Sequence, residues 1–310
     1  MADSQTQAAS VGELLGPCAQ RAEADLARCL VEDGTPATLA DAMRYCVLGG
    51  GKRLRPGLVW MSAAAVGDGG AGRGEMIARA ASAVEMIHCY SLVHDDLPAM
   101  DDDQLRRGRP TAHVKFGQAM AILAGDALLT RAFAVLGEAG RGAAATPADG
   151  LLACRLAHEL AVGAGPAGMI AGQVADMNLC LVPPGLEGMR YIHLRKTAAL
   201  LRAAARMGGL CAAAEAGELA ALSDWAAGLG LAFQLVDDLL DATASTAELG
   251  KTPGKDAGAG KRSVVAALGL AEARRLTEQT THQAVAALAN LGPRAGRLRE
   301  LTHLLAGRTR

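Results

Sequence analysis

Two runs of paired aspartates, about 140 residues apart, each follow a long apolar stretch and limit what this chain can fold into more than any other feature. The first reads His94-Asp95-Asp96-Leu97-Pro98-Ala99-Met100-Asp101-Asp102-Asp103, the second Phe233-Gln234-Leu235-Val236-Asp237-Asp238-Leu239-Leu240-Asp241. Carboxylates so placed cannot be buried without cations, because two like charges ~4 Å apart repel by about 4 kcal/mol at an effective dielectric of about 20. Hard divalent ions take oxygen ligands and in turn hold phosphate oxygens, as lysine and arginine also do. Basic residues follow each cluster: Arg106-Arg107-Gly108 the first, Gly250-Lys251 through Lys261 the second. The pattern suits a metal-bridged diphosphate.

The rest of the chain reads as helix. Apolar residues recur at helical spacing over residues 11–31, 39–48, 55–65, 75–97, 119–137, 151–163, 169–179, 186–207, 219–242, 264–281 and 283–291. Breaks fall on glycine and proline, as at Gly49-Gly50-Gly51, Gly163-Ala164-Gly165-Pro166 and Pro183-Pro184-Gly185. No segment alternates with period two over strand length, so the expected fold class is all-α. Neither a composition shift nor a linker divides the sequence, and residues 1–310 are expected to form one domain. Aromatics are only 3 %, so the core must be aliphatic, with alanine-rich stretches that favour close helix packing.

Composition excludes several roles. A net charge of -1 gives no electrostatic footprint for nucleic acid. The seven cysteines show no CxxC spacing and an odd total, which reads as free thiols in a reducing cytoplasm rather than disulfides or zinc ligands. The first residues have neither a basic start nor an apolar signal core, and Asp126 and Arg131 interrupt the one stretch that looks membrane-like. No membrane span is expected.

In the second cluster Asp237 and Asp241 share a helix face one turn apart, with Asp238 beside them and Gln234 one turn before Asp238. A solvated acidic stripe would tolerate this, but the run from 229 to 240 is almost wholly apolar, so the carboxylates need cations. In the first cluster Asp95 and Asp101 are six apart, about 240° round a continuous helix. Pro98 disfavours helix at Leu97, so the chain can loop out and return Asp101 to Asp95. Asp96 belongs to the same group, while Asp102 and Asp103 fit a plain exposed helix end. Arg106-Arg107 offers paired phosphate donors or a solvated basic patch.

Gly49-Gly50-Gly51-Lys52-Arg53-Leu54-Arg55-Pro56 places cations at a helix start, a natural anion site. It is not a Walker A loop, because Tyr45 and Arg53 stand where that motif needs glycine and Ser/Thr. His88, seven residues before Asp95, lies on the same helix face, as a partner of this segment or as a structural histidine. Lys196-Thr197 follows an amphipathic stretch, and Lys251, Lys255 and Lys261 sit in a Gly-rich loop that could fold over a phosphate.

These residues resemble a known family. Residues 92–111 are similar to the first aspartate-rich motif of the trans-isoprenyl diphosphate synthases, above all the bacterial farnesyl diphosphate synthases, which carry the same two-residue insertion. Residues 233–241 resemble their second motif and residues 49–56 their isopentenyl-binding segment, with Ala124-Gly125-Asp126, Gly172-Gln173 and Lys196-Thr197 in order between. The resemblance implies a helical bundle around a deep central cavity, as a homodimer. It implies Mg²⁺, typically three ions with Mn²⁺ able to substitute, held by Asp95, Asp101, Asp237 and the neighbouring Asp96, Asp238 and Asp241.

It further implies that Arg106, Lys196 and Lys251 hold the allylic diphosphate, with Lys261 also among the substrate-binding residues. Lys52, Arg55, His88 and Arg107 would hold isopentenyl diphosphate, and Thr197 and Gln234 would lie near the forming carbocation. The implied reaction is head-to-tail (1'-4) condensation: the allylic C–O bond ionises, the isopentenyl double bond attacks, and the released diphosphate takes the proton. After Lys261 the sequence Arg262-Ser263-Val264-Val265 departs from the family pattern, and the basic tail Arg308-Thr309-Arg310 matches no motif.

Three readings follow: a farnesyl synthase, a geranylgeranyl synthase, or a silent partner subunit, which would not need two complete metal motifs. Tyr90 bears on chain length. It lies about 7–8 Å deeper than Asp95 along the helix and about 140° round from it, with a core tyrosine as the alternative reading. In the resembling bacterial enzymes an aromatic at this offset forms the floor that stops growth at C15, and farnesyl diphosphate is the expected product.

Overall fold

The structure is a computed structural model that describes residues 10–67, 73–142, 145–243 and 263–308. Eleven helices precede residue 244: α1 Val11–Cys29, α2 Ala37–Val47, α3 Leu54–Val66, α4 Gly74–Asp95, α5 Ala112–Phe116, α6 Gln118–Ala139, α7 Pro147–Ala164, α8 Met169–Asp176, α9 Gly185–Ile192, α10 Ala199–Cys211 and α11 Ala216–Thr243. Three follow: α12 Val264–Leu268, α13 Leu270–Ala287 and α14 Gly296–Ala306. Capping boxes at Ser10/Glu13 and Thr146/Asp149 satisfy the first amides of α1 and α7.

Helix α4 packs against α6, α3 and α10, and α11 against α13 and α10. Ala80, Ala81, Ala83, Ala203, Ala204 and Ala205 are all buried at these contacts, which lets the helices approach closely, as the aromatic-poor composition requires. Helices α6 and α11 are each long and apolar enough to cross a bilayer. About half of each is buried within the fold, as in the core helices of a globular bundle.

Four local features depart from the helical reading of the sequence. Residues 193–198 form a π-helical turn between α9 and α10, so the run read as 186–207 is not one regular helix. Leu105–Arg106 and Arg109–Pro110 pair as a two-residue antiparallel hairpin. Its turn residues, Arg107 and Gly108, both have positive φ, as tight primed hairpin turns require. The break expected at residues 281–283 is absent; α13 runs on to Ala287, with the true breaks at Gly269 and after Ala287. Helix α14 was not expected, although Leu298, Leu301 and Leu305 keep helical spacing and all are buried. Trp225 Nε1 donates to Thr302 Oγ1 at 2.9 Å, fastening α14 to α11 and bringing the C-terminus to the second aspartate cluster.

Candidate active site

The loop after α4 folds back as Pro98 suggested. The Asp101 amide donates to the Asp95 carbonyl at 2.8 Å, closing the loop and placing the two carboxylates in each other's field. Burial pushes the Asp95 carboxyl up to about 6, with Lys196 opposing the shift and Asp101 adding to it. Tyr90 is buried within the core, close enough for the Asp95 charge to add to the upward push of burial on its phenol.

Asp96 and Arg106, expected to serve a metal and a diphosphate separately, bind each other. Arg106 Nε donates to both Asp96 oxygens at 2.9 Å and Nη2 to Oδ1 at 2.5 Å. Asp96 is only 3 % exposed, so burial raises its carboxyl while the Arg106 fork opposes that rise. The pair anchors the hairpin to α4.

A second anchor runs from the hairpin to the glycine loop. Arg107 donates to the Gly50 carbonyl, and a Cβ on Gly51, whose φ is +139°, would fall on the Arg107 guanidinium. Tyr45 on α2 makes the third. Its hydroxyl donates to the Pro110 carbonyl at 2.7 Å, with Arg109 4.2 Å and Lys115 3.9 Å from its ring centroid. Sequence reasoning passed over Tyr45, although its place beside the glycine run was a signal.

Within this frame the basic residues divide. Arg53, left-handed at φ 47°, is 2 % exposed and fully engaged by Glu23, Glu85 and the Val47 carbonyl, so it holds the loop rather than a ligand. Arg55 keeps a buried Nε without a partner. Burial and then the fields of Arg55, Arg107, Arg106 and Arg53 push His88 well below its ordinary value, so its ring is neutral. Arg55, His88 and Arg107 therefore share one electropositive neighbourhood, with Lys52 exposed at its edge.

Lys196 lies on the π-helical turn and donates to Asp176 at 2.5 Å, within electrostatic reach of Asp95; Thr197 follows it. This turn packs on α8 and α11. Gly172 permits the approach, since a Cβ there would sit 2.1 Å from the Lys196 amide nitrogen. That close contact explains the glycine of the Gly172-Gln173 pair.

The second cluster is already paired. Gln234 Nε2 donates to Asp237 Oδ2 at 2.9 Å, Arg308 Nη2 to Asp237 Oδ1 at 2.7 Å, and the Val264 amide to Asp238 Oδ2 at 2.9 Å. Burial raises both carboxyls, Arg308 opposing the rise at Asp237 and the Val264 amide at Asp238. Asp241 is exposed at the last turn of α11. Lys251, Lys255 and Lys261 lie outside the described residues. Among the described residues no three His, Cys, Asp or Glu side chains form a ready-made metal site. The donors present are hard carboxylate oxygens, the chemistry magnesium prefers, and a bound diphosphate would supply further oxygens.

A helical bundle with carboxylate clusters at helix ends, and beside one of them a pocket lined by Arg106, Arg107 and Arg109, is an arrangement that suits a prenyl-transferring synthase. The chain belongs to the polyprenyl synthetase family, whose profile matches residues 36–292. It is 46 % identical over 288 residues to a probable farnesyl diphosphate synthase of Bradyrhizobium diazoefficiens, covering 91 % of this chain and 83 % of that one. It is equally 46 % identical over 252 residues to geranylgeranyl pyrophosphate synthase 11, chloroplastic, of Arabidopsis thaliana, covering 80 % and 68 %.

Among solved structures, a putative farnesyl-diphosphate synthase from Marinomonas sp. MED121 superposes with TM-score 0.79 at 35 % identity, covering 96 % and 99 %. An FPP/GFPP synthase from Zymomonas mobilis gives 0.80 at 33 %, with the same coverage. The protein is thus a prenyltransferase that elongates prenyl chains, in a family whose members use divalent metals.

Proposed function

We propose that the protein condenses isopentenyl diphosphate with dimethylallyl or geranyl diphosphate to make (E,E)-farnesyl diphosphate. The observation that carries this reading is the electropositive neighbourhood of Arg55, His88 and Arg107. It holds a buried, unpartnered guanidinium nitrogen and a neutral histidine beside the Asp95–Asp101 loop. One diphosphate suits that neighbourhood, with Lys52 at its edge, and a second suits the face of Asp95, Asp101 and Lys196. A synthase needs both sites; a cyclase needs one.

Asp95, Asp101, Asp237 and Asp241 would hold magnesium, which neutralises the departing diphosphate. Asp96 serves by fixing Arg106. Lys196 is placed to leave Asp176 for a diphosphate oxygen, while Thr197 and Gln234 present polar groups toward the reacting carbons. An apolar wall on the hydrocarbon side would exclude water, which protects an allylic cation. Tyr90, buried beside Asp95, is the floor that limits the product to C15. The test is incubation with labelled isopentenyl diphosphate and each allylic primer, followed by sizing of the products.

A geranylgeranyl product is the second reading, favoured by the equal identity to the chloroplastic enzyme. The same product sizing separates the two. We further take the whole chain as one unit that pairs with a second copy. Ile122 and Leu123 on α6 and Leu151 and Val162 on α7 are exposed apolar side chains on packed neighbouring helices. Light scattering at micromolar concentration tests the dimer. All seven cysteines are free thiols, which suits a reducing cytoplasm.

A further inference from the structure

Arg308 belongs to the basic tail that matched no motif, yet it is the one residue outside the second cluster whose charged side chain reaches Asp237 among the described residues. Its Nη2 donates to Asp237 Oδ1 at 2.7 Å and to the Phe233 carbonyl at 2.9 Å, with the guanidinium carbon 3.9 Å from the Phe233 ring centroid. The partner is 71 residues away in sequence, held there because α14 is fastened to α11 through Trp225 and Thr302. Gln234 takes the other Asp237 oxygen, so each carboxylate oxygen already accepts one hydrogen bond.

Arg308 is not a fully built structural arginine. Arg53 satisfies its fork with two carboxylates and a carbonyl, whereas Arg308 leaves a buried Nε with no partner. A cation held by one carboxylate and one carbonyl, with a donor wasted, is cheaper to displace.

We propose that Arg308 is a positioning residue that stands in for the metal: it holds the Asp237 carboxylate in place in the metal-free protein and cedes Oδ1 when a divalent ion arrives. The proposal rests on the reading of Asp237 as a metal ligand. Two consequences follow. Arg308 and the metal compete for one oxygen, so metal entry and release of Arg308 from α11 are linked. Removing the guanidinium also lifts a like charge from the metal's neighbourhood.

The experiment measures binding of Mn²⁺ alone to the full-length protein by the loss of free-ion electron paramagnetic resonance signal. Four proteins are compared with wild type: Arg308→Gln, Arg308→Lys, Asp237→Asn and the Arg308→Gln/Asp237→Asn double variant. Arg308→Gln should bind Mn²⁺ about fivefold more tightly, the equivalent of one partly exposed ion pair. Arg308→Lys should stay near wild type. Asp237→Asn should bind more weakly, and in its background the Arg308→Gln gain should vanish.

Melting temperature gives a second readout: Arg308→Gln should melt lower in chelator, and Mn²⁺ should raise its melting point by more than it raises that of wild type. Unchanged or weaker Mn²⁺ binding in Arg308→Gln, with Asp237→Asn weakened, overturns the proposal and leaves the metal reading intact. Wild-type binding in Asp237→Asn overturns both.

Discussion

The two aspartate clusters look alike in sequence and differ in how the fold treats them. In the first, the arginine that follows is spent on Asp96, and Asp95 is left with no hydrogen-bond donor of its own among the described residues. In the second, Asp237 and Asp238 are both engaged, one by a side chain from the far end of the chain and the other by a helix-start amide. Both ion pairs are partly buried, with Asp96 the more enclosed carboxylate; the first is bidentate, and in the second Arg308 leaves a buried Nε without a partner. One cluster is therefore built around a permanent clamp with an open carboxylate beside it. The other is covered by contacts that, on our proposal, a metal replaces.

The largest expected effect tests whether both clusters still act in one reaction. Asp95→Asn and Asp237→Asn should each lower kcat by more than about 100-fold at saturating Mg²⁺, since each removes part of a charge-neutralising site. A wild-type steady-state rate from either variant would remove that cluster from the chemistry.

Arginine removal is the sharpest contrast. Arg106→Ala strands a buried Asp96 charge and should cost about 2–3 kcal/mol of stability, below the full buried-pair cost because Arg106 is about a third exposed. Arg308→Ala should cost about 1 kcal/mol or less. Denaturant melts of the metal-free variants measure both, and equal losses would abolish the distinction between clamp and guard.

Arg55→Ala should raise the KM for isopentenyl diphosphate about tenfold, and by much less for the allylic primer, because it shares with His88 and Arg107 the neighbourhood proposed for that substrate alone. Equal shifts for both substrates would merge the two sites. Tyr90→Ala should lengthen the product to C20 or beyond with a smaller change in rate; product sizing that still gives C15 alone would show that Tyr90 is only core.

The last contrast concerns the π-helical turn between the clusters. Burial holds His193 down to about 4, so between about 4 and 6.5 the unfolded chain binds the proton that the folded one refuses. The His193 contribution to metal-free stability should therefore fall as pH drops from 6.5 toward 4, while Asp95, raised to about 6, contributes in the opposite direction, so His193→Gln should make stability rise relative to wild type over that range. A slope unchanged in the variant would assign the pH dependence to other groups.

Much of this was legible in the residues. Glycine and proline breaks marked most helix ends, and Pro98 foretold the loop that returns Asp101 to Asp95, because these effects act within a turn or two of the chain. The pairings Asp96–Arg106 and Asp237–Arg308, the consumption of Arg53 by Glu23 and Glu85, and the π-helical turn at Lys196 were not legible. Each depends on which charges packing excludes from water and which distant group then lies within reach. The sequence by itself determined which residue types are available and where the helices stop; the tertiary structure alone decided which aspartate is left open, because desolvation and ion pairing are settled between elements far apart in the chain.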